Sequence, residues 1–194
     1  LSEAQERVLA DKGACDSKHF GSSQRAKTRR SELAKEIIDL AEHVETRVLA
    51  ASEIDNWVLN GAGLNAMEQD AAISMLASGP SAAQVFADGA RLFSPLQARY
   101  PHLIAEDKAE PKYMSVAAAS IVAKDLRDRL FEEILERHAL DPKTRGGGYP
   151  NKSTEAVLRD YKQSRGELPM GLRLSWQWSV LQELRSDDAR SLCL

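Results

Sequence analysis

The chain has 194 residues, 43% of them hydrophobic and 28% charged, an ordinary globular balance that argues against wholesale disorder. That length is one domain, or one domain with a small appendage, and a net charge of −3 excludes a globally basic nucleic-acid binder while allowing a local basic face. Cys15 and Cys193 are too few for a disulfide scaffold and lack metal-ligand spacing, so a reducing compartment, the cytoplasm, is expected.

No apolar run approaches a membrane span, and the opening is polar rather than charged and then apolar, so no secretory leader is expected. The chain starts at Leu1, not Met, and LSEAQERVLADKG offers no strand, which suggests a piece of something longer. Residues 22–44 read as an amphipathic helix with Leu33, Ile37, Leu40 and Val44 at helical spacing. Arg25, Lys27, Arg29 and Arg30 crowd its first turns, where cations oppose the helix dipole. They are either a solvated face or a phosphate contact.

Residues 46–51 (TRVLAA) read as a strand, and residues 60–78 as a helix carrying Leu64, Met67, Ala71 and Met75, stopped by Gly79 and Pro80. Short strands follow at 84–87 (QVFA) and 102–105 (HLIA). The longest helix spans 115–138, with Ala123, Leu126, Leu130 and Ile134 as its apolar stripe. Ala117, Ala118, Ala119 and Ser120 at its start would allow close approach of a neighbour. A glycine-rich loop occupies 141–151, and a helix over 153–165 has Ser153 as its expected N-cap. A last helix follows Pro169, with Ser175 as its expected cap. Strands alternating with helices give an α/β fold. Three short strands make a thin sheet for so many helices, which again suggests missing material.

Four places carry chemistry. Asp88 ends a strand before Gly89, where α/β sheets present side chains to ligands, although Asp-Gly is also a common turn. Asp128 shares a helix face with Ile121, Lys124 and Glu132, away from the apolar stripe, and alone reads as a solvated aspartate. Tyr149, in GGGYP, is either an exposed aromatic suited to stacking on a sugar or base, or an anchor tying the loop to the core. Lys18, in Asp16-Ser17-Lys18 before the first long helix, is either a phosphate contact or a solvated lysine beside a cap. His19, His43, His102 and His138 form no motif and read as surface residues; no phosphate-loop or dinucleotide fingerprint occurs.

Together these strings resemble type 2 ribonuclease H, the ribonuclease HII/HIII family. The resemblance rests on GACDSKHF (13–20), ADG (87–89), DKAEPKYMSVAAASIVAKDLRD (107–128), GGGYPNKST (146–154) and RLSWQW (173–178), in order. SVAAASIVAK followed by RD is the most specific of them. GGGYP and RLSW look closer to the archaeal and eukaryotic branch and the opening closer to ribonuclease HIII, so no subtype is chosen.

The resemblance implies a ribonuclease H-like fold, a mixed sheet flanked by helices, with a catalytic core over 1–150 and a helical region over 151–194. It implies endonucleolytic cleavage of RNA in RNA–DNA hybrids, or at ribonucleotides embedded in DNA. In the family, four carboxylates hold two Mg2+ or Mn2+ ions that serve an in-line displacement at phosphorus. Carried over by motif, Asp88 and Asp128 are two of those carboxylates, Tyr149 matches the tyrosine that stacks on the sugar near the cut, and Lys18 matches the lysine of the DSK motif, a candidate phosphate contact. The family's opening strand carries an adjacent Asp-Glu pair in a glycine-rich motif, and no such string occurs here. The expectation is therefore a nuclease domain without its N-terminal strands and with most of its activity lost. The alternatives are a catalytically inactive ribonuclease H-like domain that binds nucleic acid or a protein partner, or a generic α/β scaffold.

Overall fold

The computed structural model describes residues 1–15, 20, 21, 23–81, 83–142, 144 and 148–191, with 186–191 described by backbone alone. These fall into two compact units, one of residues 1–47 and 65–127, the other of residues 48–64 and 128–194.

In the first unit, α1 (Glu3–Asp11) starts with a capping box between Ser2 and Gln5. The Gln5 amide also donates to the Leu40 carbonyl at 2.8 Å, tying α1 to the end of α2 (Gln24–Leu40). Leu33 and Ile37 of α2 are buried with Leu9, Ala118, Ile121 and Val122 in one apolar core. Arg30 departs from the solvated cationic face: it is only 2% exposed and donates to the Gly21 carbonyl at 3.4 Å. Arg29 donates to the Lys12 carbonyl and pairs with Glu32.

The strand expected over 46–51 does not form. Residues 46–50 have no regular structure, and α3 (Ala51–Leu59) starts inside the expected strand, after an extended Ala50. A strand exists only through its ladder, and no described residue supplies one to this segment. The next helix, α4 (Gly63–Ser78), buries Met67 of its expected stripe. The expected strands at 84–87 and 102–105 appear as β1 (Val85–Asp88) and β2 (Leu103–Glu106). They pair in parallel with Val85 opposite Leu103 and Asp88 opposite Glu106, and among the described residues they form a two-stranded sheet. A short helix, α5 (Ala90–Phe93), and a 3₁₀ turn over Ser94–Ala98 make the crossover.

The long helix is α6 (Met114–Arg137). Its most buried face runs through Ala117, Ala118, Ile121, Val122 and Asp125, not through the expected Ala123, Leu126, Leu130 and Ile134. The small residues explain the shift: alanines let the α6 backbone settle into the core beside Leu33, so their side of the helix goes inward. Ala123 instead lines an open cleft of about 960 Å3 shared with α4 and β1.

In the second unit, Leu158 of α7 (Lys152–Arg165) packs with Val180 and Leu184 of α8 (Ser179–Ser191). Arg159 bridges Glu155 and Glu183 between the two helices. The N-cap of α7 is Asn151, not Ser153: the Asn151 Oδ1 accepts the Ser153 and Thr154 N–H groups at 2.8 and 3.0 Å. Ser175 does not cap α8 either, because α8 starts four residues later, and the Ser175 Oγ accepts from Arg173 Nε. No helix among the described residues is long and apolar enough to cross a membrane.

Candidate functional site

Asp88 is the last residue of β1, at the carboxyl end of a parallel strand pair, where open α/β sheets present groups to ligands. Its surroundings are fixed by the two turns that follow β1 and β2. Gly89 has φ of 118°, beyond the ordinary reach of a side-chain residue, and its N–H donates to the Glu106 carbonyl at 2.8 Å. Lys108 also has positive φ, 58°, turning the chain so that the Ala109 N–H donates to Asp88 Oδ1 at 3.1 Å. Asp107 accepts the Ala90 N–H at 2.9 Å.

Glu106, opposite Asp88 in the ladder, accepts from the Lys112 ammonium and, at 3.2 Å, from the Tyr113 hydroxyl. The Lys112 hydrogen bond holds the Glu106 carboxyl below its ordinary value, and the same pairing pushes Lys112 up. Tyr113 is raised, first by burial and then by Glu106, and its ring stacks on Phe86 with centroids 4.0 Å apart. Asp88 and the buried Glu110 line the same cleft as Lys124 and Arg127 of α6, so acidic and basic groups share one apolar hollow.

Asp128 is half-buried on α6. It belongs to the second unit and Asp88 to the first. Lys18 lies outside the described residues.

Tyr149 is 54% exposed. Gly148 before it has φ of 78°, and a Cβ there would meet the Phe131 ring at 3.1 Å, so both conformation and space call for glycine. The Asn151 side-chain amide donates to the Tyr149 carbonyl at 2.7 Å. The Tyr149 ring meets Trp176 edge to face, with centroids 5.6 Å apart and planes at 80°. Tyr149 is thus exposed on a loop whose main chain is held by Asn151.

Sequence reading missed Asp55, which is 8% exposed on α3. Its Oδ1 accepts the Ser175 N–H at 2.7 Å and its Oδ2 the Leu174 N–H at 2.8 Å. Burial works to raise this carboxyl, but hydrogen bonds from the Ser175 main chain and hydroxyl and from Leu174, with the Arg173 charge, outweigh it and hold it below its ordinary value. The available signal was Ile54 and Val58 at helical spacing on either side of Asp55.

A depressed carboxylate stabilises the fold above its unfolded pKa and loses that contribution as pH falls through its folded pKa. Asp55→Asn is therefore expected to lower stability by about 1–3 kcal/mol at pH 7, with the deficit shrinking in strongly acidic buffer. Urea titrations of both proteins at pH 7 and at about pH 3 measure this; a deficit that grows at low pH contradicts it.

The parallel crossover and the helices are those of an α/β protein, and the match to solved structures shows the fold to be ribonuclease H-like. The ribonuclease H2 structure from Pyrococcus horikoshii matches it with a TM-score of 0.78 and 26% identity, over 98% of this chain and 88% of that one. The chain belongs to the ribonuclease HII family, whose model matches residues 1–179. Ribonuclease HII of P. horikoshii is 30% identical over 186 residues, covering 91% of this chain and 80% of that protein. Ribonuclease HII of Methanocorpusculum labreanum is 43% identical over 77 residues, a match spanning 39% of this chain and only 34% of that relative.

Among the described residues, no group of three or more His, Cys, Asp or Glu side chains comes together to hold a metal. Asp88 has one oxygen on the Ala109 N–H and shares its cleft with two cations. The described donor set therefore does not fit a two-metal centre by itself.

Proposed function

We propose that this chain carries the substrate-contacting part, and two of the acidic residues, of an endonuclease that cleaves RNA in RNA–DNA hybrids or at ribonucleotides embedded in DNA. Asp88 and Asp128 are its acidic residues, Tyr149 its sugar or base contact, and Lys18 a phosphate contact. The observation that carries the reading is Asp88 at the carboxyl end of the parallel pair, within the ADG string of a ribonuclease HII family member. Mg2+ or Mn2+ is the cofactor this reading calls for. Asp88 and Asp128 supply the oxygen donors such ions prefer, but further carboxylates are needed to complete the set.

What the chain's own residues do is bind and orient. Tyr149 offers a largely exposed ring on a loop pinned at Gly148 and Asn151, so little freedom is lost when a sugar or base stacks on it. Arg173, whose guanidinium lies 5.4 Å from the Trp176 ring centre, adds a cation beside the aromatic pair. A second reading, a binding domain without catalysis, is favoured by the short donor set.

Tyr149→Ala tests the shared part of both readings. It is expected to weaken binding of a fluorescein-labelled RNA–DNA hybrid by roughly 5- to 100-fold, the worth of one stacking contact. Fluorescence anisotropy in EDTA measures it without cleavage, and an unchanged Kd returns Tyr149 to a loop anchor.

A further inference from the structure

We infer that Asp55 is a positioning residue for the Tyr149 contact: its carboxylate holds the 173–176 segment, and Trp176 of that segment holds the Tyr149 ring. This rests on the reading of Tyr149 as a substrate contact.

Each link is a contact within the second unit. Both carboxylate oxygens of Asp55 are used, one on each of two consecutive main-chain N–H groups 119 and 120 positions away in sequence. Two short, charge-assisted bonds to adjacent amides fix the position and direction of the strand of chain that bears them. Trp176 follows directly. The Arg173 guanidinium sits 5.4 Å from its ring centre while Arg173 Nε donates to Ser175 Oγ at 3.2 Å, so the residues on either side of Leu174 are held by the same short segment. The Trp176 ring in turn meets Tyr149 at 5.6 Å and 80°, a favourable edge-to-face geometry.

The division of labour on Tyr149 is specific. Gly148 and Asn151 settle its main chain. The Trp176 ring, edge to face on Tyr149, limits rotation of the Tyr149 ring about its side-chain bonds. A ring already held in its binding orientation loses less freedom when substrate arrives. A carboxylate suits the task because it accepts two donors at once and offers no competing N–H; asparagine has one carbonyl oxygen and would turn an amide N–H toward one of the two donors.

The bland alternative is that Asp55 only stabilises the second unit. A double-mutant cycle on hybrid affinity separates the two, because a residue acting through Tyr149 has nothing left to act on once that ring is gone. The proteins are the 194-residue chain, Asp55→Asn, Tyr149→Ala and the double variant, with a fluorescein-labelled RNA–DNA hybrid in EDTA as probe and far-ultraviolet circular dichroism confirming the fold. Asp55→Asn is expected to weaken binding roughly 2- to 10-fold, the worth of one ordered side chain. The double variant is expected to bind no more weakly than Tyr149→Ala alone. Trp176→Leu, which keeps an apolar side chain and removes the ring, should reproduce the Asp55→Asn loss and serves if Asp55→Asn does not fold.

If Tyr149→Ala weakens binding while Asp55→Asn and Trp176→Leu do not, or if their losses multiply with that of Tyr149→Ala, positioning is overturned and the substrate contact stands. If Tyr149→Ala itself changes nothing, the substrate contact falls and positioning falls with it.

Discussion

Joining a segment that carries an adjacent Asp-Glu pair on an extended strand ahead of Leu1 is expected to raise Mn2+-dependent hybrid cleavage by at least ~100-fold over the 194-residue chain. Lost support for a bound metal commonly costs ~10- to 100-fold per residue, and two ligands are supplied at once. If Asp88 and Asp128 were the only carboxylates offered to divalent ions, most ligand positions would fall to water and affinity would be low. The first unit also has room for the strand. The Val85 and Gly89 N–H groups point toward β2, donating to the His102 and Glu106 carbonyls at 3.0 and 2.8 Å. By the alternation of a parallel ladder, the main-chain groups of Phe86 and Asp88 face the opposite edge, where no described strand pairs. The cleft of about 960 Å3 lies against β1, floored by Met75, Ala119 and Ala123. An open strand edge beside an apolar hollow invites association, so the 194-residue chain is also expected to sediment as dimers or larger species and the joined chain as a monomer. Full activity in a monomeric 194-residue chain would show that other carboxylates complete the site, with Glu106 and Glu110 the first to test.

Asp88→Asn and Asp128→Asn, each made in the joined protein, are expected to lower cleavage by on the order of 100- to 1,000-fold, as when one group serving transition-state charge is removed. Hybrid binding in EDTA should change less than about twofold, because the contacts assigned to binding are on Lys18, Tyr149 and the neighbours of Tyr149, not on Asp88 or Asp128. The substitution is a clean one at Asp88: an asparagine carbonyl can keep the 3.1 Å bond from the Ala109 N–H, so the turn survives while the charge is lost. Glu106→Gln provides the contrast. Its carboxylate already serves Lys112 and Tyr113, and its loss should loosen that turn without abolishing cleavage. The reverse order of effects would move the chemistry from Asp88 to Glu106.

Where an element is specified by its own residues, the sequence was a sound guide. The helical period of Leu33 and Ile37 located α2, and the apolar runs at β1 and β2 located the parallel pair to within a residue. Where a distant partner decides, it was not. TRVLAA has the composition of a strand, but a strand needs a ladder, and among the described residues the segment has none. Asn151 and Ser153 are equally good caps by type; the choice of Asn151 depends on its reaching two N–H groups from one oxygen while its amide holds the Tyr149 carbonyl. The α6 face was misjudged because large apolar residues were weighted over alanines, whereas close helix packing selects the alanines. Asp88, Asp128 and Tyr149 were singled out as candidates because their local strings are distinctive. Asp55 was not, since its partners lie more than a hundred positions away and only folding brings them together.

The measurement that bears most directly on the account is a denaturing-gel map of a hybrid labelled separately on its RNA and DNA strands. It is incubated with Mn2+ and the Asp-Glu-joined chain, its Asp88→Asn and Asp128→Asn variants, and the 194-residue chain. The account predicts cuts in the RNA strand alone by the joined chain, near-complete loss in both variants, and faint cutting by the 194-residue chain. Cuts in the DNA strand, or RNA cleavage that survives both substitutions, would contradict it.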